Sequence, residues 1–432
     1  MRFMLLTPGT GHFYCGSCLR DDALGRALRA QGHEVESLPL YLPMMLEHSL
    51  DREPAVHMGG INVYLQQKTQ AFRMLPRFIA NMLDNPRLLR WASRRGNMTE
   101  SSDLGEMTVS ILRGECGRQE KEVDKLVDAV QAKPRPDVII ISNAMLSGVA
   151  RRLRAALKVP VVVTMQGEAP FLDSLKSSDR DIAWATLRER AHEVDALIAV
   201  SANYRDAMQA KLEVPAERVH VVCNGVDVED FAGAPKQTSD AVTLGYLARM
   251  CRDKGLDTLV DAFIALKSRA KVPGLRLRVA GVQLKEDRAY VDELQARMRA
   301  AGCLGDAEFL PNIDRAQKIE FLKTLTAFSV PARYQESFGL YLLEAMAAGV
   351  PVVQPRHAAF PEILQATGGG MLCEPESPES LAEALEPLLL DPAYAKEVGA
   401  RGQAGVREAF TSRHMAEGVA EICRSLVTAS SP

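Results

Sequence analysis

The sequence predicts an α/β protein of two doubly wound domains, each a parallel sheet covered by helices on both faces. Three observations carry this expectation. Short, wholly apolar, β-branched runs such as Val138-Ile139-Ile140-Ile141 and Val161-Val162-Val163-Thr164 alternate with amphipathic helical segments, the pattern of parallel strands buried on both faces. The alternation restarts after Ala232-Gly233-Ala234-Pro235-Lys236-Gln237-Thr238-Ser239, a small, polar, Pro- and Gly-bearing linker. A chain of 432 residues exceeds one hydrophobic core and suits two domains of about 200 residues each.

Taken in order, residues 3–7 form the first strand, followed by a Gly-rich loop and a helix through Ala23, Leu24, Ala27 and Leu28. Gly32-His33-Glu34-Val35 ends that helix and opens the next strand. Runs at 138–141, 161–164, 196–200 and 219–222 continue the first sheet. After the linker come strands at 242–247, 275–280, 307–310, 328–330 and 350–353, with helical segments between them. The expected organisation is therefore a Rossmann-like domain at 1–232, a second at 236–410, and a terminal helix at 411–432. In open α/β sheets the ligand lies beyond the carboxyl ends of the strands. Two such domains facing one another place it in the cleft between them.

Composition narrows the function class. The chain is 47% hydrophobic and 25% charged, without a biased tract, as in ordinary globular proteins. Lys+Arg 52 against Asp+Glu 55 leaves a net charge of −3, which argues against bulk attraction to nucleic acid. The opening Arg2-Phe3-Met4-Leu5-Leu6-Thr7 is too short for the apolar stretch of a secretory signal. No run approaches about 18 consecutive apolar residues, the length a membrane-spanning helix needs. The eight cysteines are scattered, most of them in or beside apolar runs. Reduced, buried thiols and a cytoplasmic location are expected. Cys15-Gly16-Ser17-Cys18 lacks a second pair or a His cluster, so a tight strand-to-helix turn is its expected role, with redox or metal chemistry as the alternative. Neither a metal nor a cofactor is expected.

The chemistry concentrates in Arg333-Tyr334-Gln335-Glu336-Ser337-Phe338-Gly339-Leu340-Tyr341-Leu342-Leu343-Glu344, which reads strand, loop and helix. Ser337 is placed to cap the helix, and Gly339 lets backbone approach a ligand at the positive helix end, which suits a phosphate. Glu336 precedes the helix and Glu344 lies about two turns in, so the two carboxylates suit hydroxyls on opposite sides of a diphosphate. Read from the residues alone, Glu344 is equally a solvated helix acid. Upstream, Arg249 and Lys254 flank a short loop after a strand. A guanidinium fork and a mobile ammonium there suit phosphate oxygens and a departing nucleoside diphosphate, although surface cations are the plain alternative and Arg252 fits that alternative better.

The Glu-x7-Glu spacing, the Ser-Phe-Gly after the first Glu and the Ala-Met-Ala-Ala-Gly-Val-Pro-Val-Val after the second resemble the signature of glycosyltransferase family 4, retaining enzymes of the GT-B fold. Arg249 through Gly255 is similar to that family's Gly-Arg-Leu…Lys-Gly segment. The resemblance implies transfer of a sugar from a UDP-, GDP- or ADP-sugar to a glycan, lipid-linked or small-molecule acceptor, without a metal. It implies Glu336 beside the donor sugar and Glu344 on the ribose. Phe338, Gly339 and Leu340 then offer backbone to sugar and diphosphate, the stretch around Leu310 holds the base, and Asn224 lies in a loop entering the cleft. It also implies a terminal helix that crosses back to the first domain. A non-catalytic nucleotide-sugar binder and a GT-B epimerase are the alternatives.

The sequence departs from that pattern in the first half. Gln166 stands where the family commonly has His. It can exchange hydrogen bonds with a sugar hydroxyl but carries no proton at neutral pH, so its role is positional and the nearby Glu168 gains interest. Gly9, Gly11 and His12 occupy the place of the family's first glycine pair. Gly60 and Asn62 belong to a second Gly-Gly loop. Both loops are candidates for the acceptor side or for buried turns. Arg356-His357-Ala358-Ala359-Phe360 replaces paired glycines and predicts a stiffer loop. Residues 68–95 hold seven cations and one acid, interleaved with apolar residues. They read either as helices with one buried face or as a basic amphipathic surface for peripheral contact with the inner membrane face.

Overall fold

The computed structural model describes residues 1–9, 16–42, 56–68, 101–231 and 242–429. The chain divides into two compact units, Met1–Cys223 with Ser412–Pro432, and Asn224–Thr411. The first division falls some residues before the expected limit at 232. Backbone pairing explains it: the Val226 N–H donates to the Phe410 carbonyl at 2.9 Å and Val226 bridges Thr411. The linker that marked the boundary in the sequence, residues 232–239, lies outside the described residues, as do residues 69–95 of the basic segment, Gly11, His12 and Cys15.

In the first unit six parallel strands are ordered β2-β1-β3-β4-β5-β6. They are β1 (Arg2–Thr7), β2 (Glu34–Pro39), β3 (Val138–Ile141), β4 (Val161–Met165), β5 (Ala196–Ala199) and β6 (Val219–Val221). Among the helices, α1 (Gly16–Ala30) follows β1, α2 (Gly60–Lys68) follows β2, and the short α3 (Glu168–Ser174) follows β4. Every residue of β3, β4 and β5 is buried, as their β-branched runs require. One sheet face meets α1 through Leu5, Ile140, Val162, Leu24 and Leu28. The C-terminal helix α10 (Ser412–Ala429) adds Met415, Val419 and Cys423 to the same core, so the end of the chain belongs with the first unit. Each such aliphatic side chain contributes about 1.5–3 kcal/mol on full burial.

The second unit repeats the plan with six parallel strands ordered β12-β11-β10-β7-β8-β9. They are β7 (Thr243–Leu247), β8 (Arg276–Gly281), β9 (Ala307–Pro311), β10 (Ala327–Phe328), β11 (Val352–Pro355) and β12 (Gly370–Cys373). The last was not expected from the sequence, because Gly368-Gly369-Gly370 reads as a loop. The helices that frame the site are α4 (Leu256–Arg269), α5 (Arg288–Ala300), α6 (Arg315–Lys323), α7 (Leu340–Ala347), α8 (Phe360–Thr367) and α9 (Pro392–Ala409). The chain builds β7, β8 and β9 in one direction and then places β10 on the other side of β7. The strand order thus reverses between β7 and β10, and their carboxyl ends form the crevice where such sheets bind ligands.

Candidate active site

Two loops meet at that reversal. After β7 the chain turns through Arg249 and Lys254 into α4; after β10 it passes through Arg333 and Glu336 into α7. Gly255 makes the first turn possible. Its φ is +69°, and a Cβ there would lie 1.9 Å from the Pro331 carbonyl oxygen, so no other residue fits without moving the second loop. The Arg333 N–H donates to the Asp253 carbonyl at 2.9 Å, and the Arg333 guanidinium reaches Asp257 in the first turn of α4 at 2.8 Å. The two loops are therefore fastened together beneath the functional side chains.

Glu336 is the focus. Its Oε2 accepts from Lys254 Nζ at 2.5 Å, from the Tyr334 hydroxyl at 2.9 Å and from the Tyr341 hydroxyl at 3.0 Å. Lys254 also donates to the Tyr334 hydroxyl oxygen and lies 4.8 Å and 5.2 Å from the ring centroids of Tyr334 and Tyr341. Burial pushes the Glu336 carboxyl up, but the Lys254 ammonium and the three hydrogen bonds outweigh it and hold the group below the usual carboxylate range. Burial, together with the Glu336 charge, raises both phenols, which stay protonated donors. Oε1 of Glu336 accepts nothing from the described residues.

The helix after Glu336 starts two residues later than the sequence suggests. Gly339 is its N-cap, at φ 91°, and no side chain caps it. Ser337 is buried and sits ahead of the cap, so its expected capping role is corrected. Phe338 is a core residue, its ring 6.1 Å from Phe410, which leaves its backbone as the part a ligand can meet. In the first turn the Leu342 N–H donates to the Gly339 carbonyl at 3.0 Å, and the N–H groups of Leu340 and Tyr341 ahead of it have no partner four residues back in the helix, as at any helix start. Glu344, further along α7, is partly buried and accepts from Lys318 Nζ of α6 at 2.7 Å. It is no solvated surface acid.

Arg249 is not a free cation. Its Nε and Nη2 form a two-pronged bond to Asp287 at 2.9 and 3.0 Å, and Nη2 also reaches Glu286 at 3.2 Å. Asp287 is buried and takes the Leu284 N–H as well, at 2.9 Å. The fork is thereby held in one orientation with Nη1 turned away from these carboxylates. The Tyr246 hydroxyl fixes the backbone beneath it by donating to the Arg249 carbonyl at 2.8 Å. Arg252, more than half exposed, packs on Tyr290 and faces Asp257, as its surface reading predicts. Leu310 lies on β9, the outer strand of the sheet. Asn224 is buried at the start of this unit.

The loop at 356–360 closes on the site from another side: the Ala359 N–H donates to the Glu336 carbonyl at 3.4 Å, and His357 Nε2 bonds the Ala332 carbonyl at 2.9 Å. Ala358 holds φ +55°, a conformation that suits glycine. The loop keeps a glycine's backbone without the glycine.

The candidates in the first unit also lie at strand ends. Gln166 follows β4, and its side-chain amide donates to the Ser142 carbonyl at 2.5 Å and to Asp21 of α1 at 3.5 Å. Glu168 is different from expectation. It is 2% exposed, and its oxygens accept the backbone N–H groups of Ala144, Gln166 and Gly167 at 2.9–3.0 Å and the Tyr204 hydroxyl at 2.8 Å. Its carboxylate anchors the ends of β3 and β4, a structural role that the sequence did not foresee for it. Gly9 holds φ +73°, and a Cβ there would lie 1.7 Å from the Leu42 carbonyl oxygen. Gly60 donates to the Tyr41 carbonyl at 2.7 Å, and Asn62 is buried. Gly9 and Gly60 thus fasten the loop after β2, the turn reading of both loops. Cys18 is buried in α1.

Sequence reasoning missed Tyr334, Tyr341, Asp287 and Lys318. Each is the partner of a residue it found, and the only available signal was that a carboxylate or guanidinium entering a buried site needs one.

Two parallel doubly wound units, the second with a carboxylate, an ammonium and a helix start at its strand reversal, make up the GT-B class of fold. The model of the glycosyl transferases group 1 matches residues 228–404, and that of the glycosyl transferase 4-like domain matches residues 22–225. The chain belongs to the group 1 glycosyltransferases. It is 28% identical over 317 residues to the α-maltose-1-phosphate synthase of Mycolicibacterium smegmatis, covering 67% of this chain and 79% of that one. In structure it is similar to sucrose-phosphate synthase from Thermosynechococcus elongatus, at TM-score 0.71 and 18% identity over 99% of this chain and 100% of the other. It is also similar to HepE of Anabaena, solved in complex with UDP, at TM-score 0.69 and 18% identity, with the same coverage.

Proposed function

We propose that this glycosyltransferase moves a sugar from a nucleotide diphosphate sugar to an acceptor hydroxyl with retention of configuration and without a metal. One observation carries the reading: a buried carboxylate, Glu336, just ahead of α7, with one oxygen pinned by Lys254, Tyr334 and Tyr341 and the other without a partner among the described residues. Negative charge there favours the positive charge that grows on the sugar as its bond to phosphate breaks. Lys254 spends one N–H on Glu336 and one on Tyr334, which leaves a third for a phosphate oxygen. Arg249 Nη1 and the first-turn amides of α7 supply further donors to the departing diphosphate. In this account the glycosidic electron pair leaves with the phosphate, the acceptor oxygen attacks from the same face, and its proton passes to the departing phosphate oxygen. Glu344 takes a ribose hydroxyl, and Gln166 stays positional.

UDP-glucose is the first donor to try, because HepE has been solved with UDP and with UDP-glucose. Thermal shift with UDP, GDP and ADP identifies the base, since a ligand that binds only the folded state raises the melting temperature. Proton NMR of the product formed from the matching glucose or mannose donor then reports the anomeric configuration. Inverted product refutes retention, and binding without turnover on any acceptor refutes the enzyme reading. Among the described residues no helix is long and apolar enough to cross a membrane. Our reading keeps the enzyme cytoplasmic, with residues 68–95 a candidate for peripheral contact, which flotation with anionic vesicles tests.

A further inference from the structure

The donors around Glu336 are distributed unevenly. All three reach the same oxygen, Oε2, and none of the described residues reaches Oε1. A carboxylate gripped in this way cannot turn about its last bond without breaking three charge-assisted hydrogen bonds, each about twice as strong as a neutral one. Two of the three come from phenols on different elements. Tyr334 leaves the loop after β10, and Tyr341 is the second residue of α7. The Tyr341 ring rests near Phe328 of β10, centroids 6.3 Å apart, so its hydroxyl is delivered from a rigid helix packed on the sheet.

We propose that Tyr341, together with Tyr334, is a positioning residue that keeps Glu336 ionised and aims its Oε1 at one hydroxyl of the donor sugar. This rests on the donor reading given above. Lys254 alone would not fix the direction: an ammonium on a flexible stem attracts either oxygen, and a phosphate competes for it. The phenols hold no net charge, so the diphosphate does not draw them away. Besides Lys254 and the two phenols, the ionisable groups nearby are Tyr246 and Cys251 on the β7 side and His357, whose Nε2 is occupied by the Ala332 carbonyl.

The test is Tyr341→Phe, which removes the hydroxyl and keeps the ring, with Tyr334→Phe as a second variant. Calorimetry with UDP, GDP and ADP reads the nucleotide part of the site. Steady-state turnover of UDP-glucose, GDP-mannose and ADP-glucose, and of the singly deoxygenated forms of the sugar that turns over, reads the rest. Expected are a nucleotide affinity within about twofold of wild type, a KM little changed and a kcat lowered about tenfold. The loss vanishes for the one deoxy donor that lacks the hydroxyl facing Oε1. The acid limb of the variant's kcat profile also moves to higher pH than in wild type, because Glu336 with fewer donors takes up a proton more readily. Unchanged kcat in both variants, or an equal loss on every deoxy donor with an unmoved acid limb, makes the tyrosines packing residues and overturns the proposal. Wild-type enzyme that binds none of UDP, GDP and ADP overturns instead the donor reading beneath it.

Discussion

Replacing Lys254 with Met should invert the pH dependence that Glu336 contributes to stability. In the folded protein Glu336 lies below the usual carboxylate range, although burial alone would raise it. Its folded value is depressed relative to about 4.3 in the unfolded chain, so the stability it contributes is present above that value and is lost as pH falls through the folded one. Removing the ammonium takes away the largest of the stabilising causes and leaves desolvation opposed by two phenols. The folded value should then rise above the unfolded one. The same carboxyl becomes a liability at neutral pH, whose cost diminishes as pH falls and the group takes up a proton. Removing one partner of a buried pair costs about 3–5 kcal/mol; the remaining phenols argue for the lower end. About 3 kcal/mol in a unit of this size lowers Tm by roughly 6–12 °C. Calorimetric scans of wild type and Lys254→Met at pH 7.5 and 5.5 measure it. The gap should narrow at the lower pH, and Lys254→Met with Glu336→Gln should melt higher than Lys254→Met alone. A gap independent of pH, or a double variant less stable than the single one, refutes the reasoning.

Kinetics should separate the two carboxylates: Glu344→Gln raises KM for the donor more than it lowers kcat, and Glu336→Gln lowers kcat with nucleotide binding nearly kept, as donor-varied steady-state rates will show. Arg249→Ala should weaken UDP, GDP or ADP binding by about 1.5–3 kcal/mol, roughly tenfold or more by calorimetry, with the fold intact. Turnover should survive EDTA; complete loss restored by a divalent cation would refute leaving-group stabilisation by Arg249, Lys254 and the helix start. Ala358→Gly should raise Tm slightly. Relief of the left-handed backbone strain is about 1–2 kcal/mol, the added freedom of the unfolded chain takes back about 0.4–1, and a lower Tm would refute the assignment of strain.

Much of this was legible in the amino-acid order, and the parts that were share a property. Periodicity and strand composition are local, so eleven of the twelve strands are anticipated, most of them as short apolar or β-branched runs, and the two-unit plan follows from their restart. Glu336, Glu344 and the start of α7 are legible because they lie within one strand–loop–helix segment. What sequence could not carry is partnership across distance. Lys254 meets Glu336 across 82 positions, and Arg249 meets Asp287 across 38; nothing in the residues between them records the contact. Glu168 shows the same limit from the other side. An acid beside Gly167 after a strand looks available to a substrate, and only the fold reveals that three backbone N–H groups and Tyr204 already occupy it. The distinction is chemical. A carboxylate whose two oxygens are both satisfied by the protein builds the scaffold, whereas one with a single oxygen held and no partner for the other among the described residues, as in Glu336, suits a ligand. On that criterion the proposed donor site centres on the Lys254, Glu336, Tyr334 and Tyr341 cluster, whereas Gln166 and Glu168 bond the strand ends of the first unit.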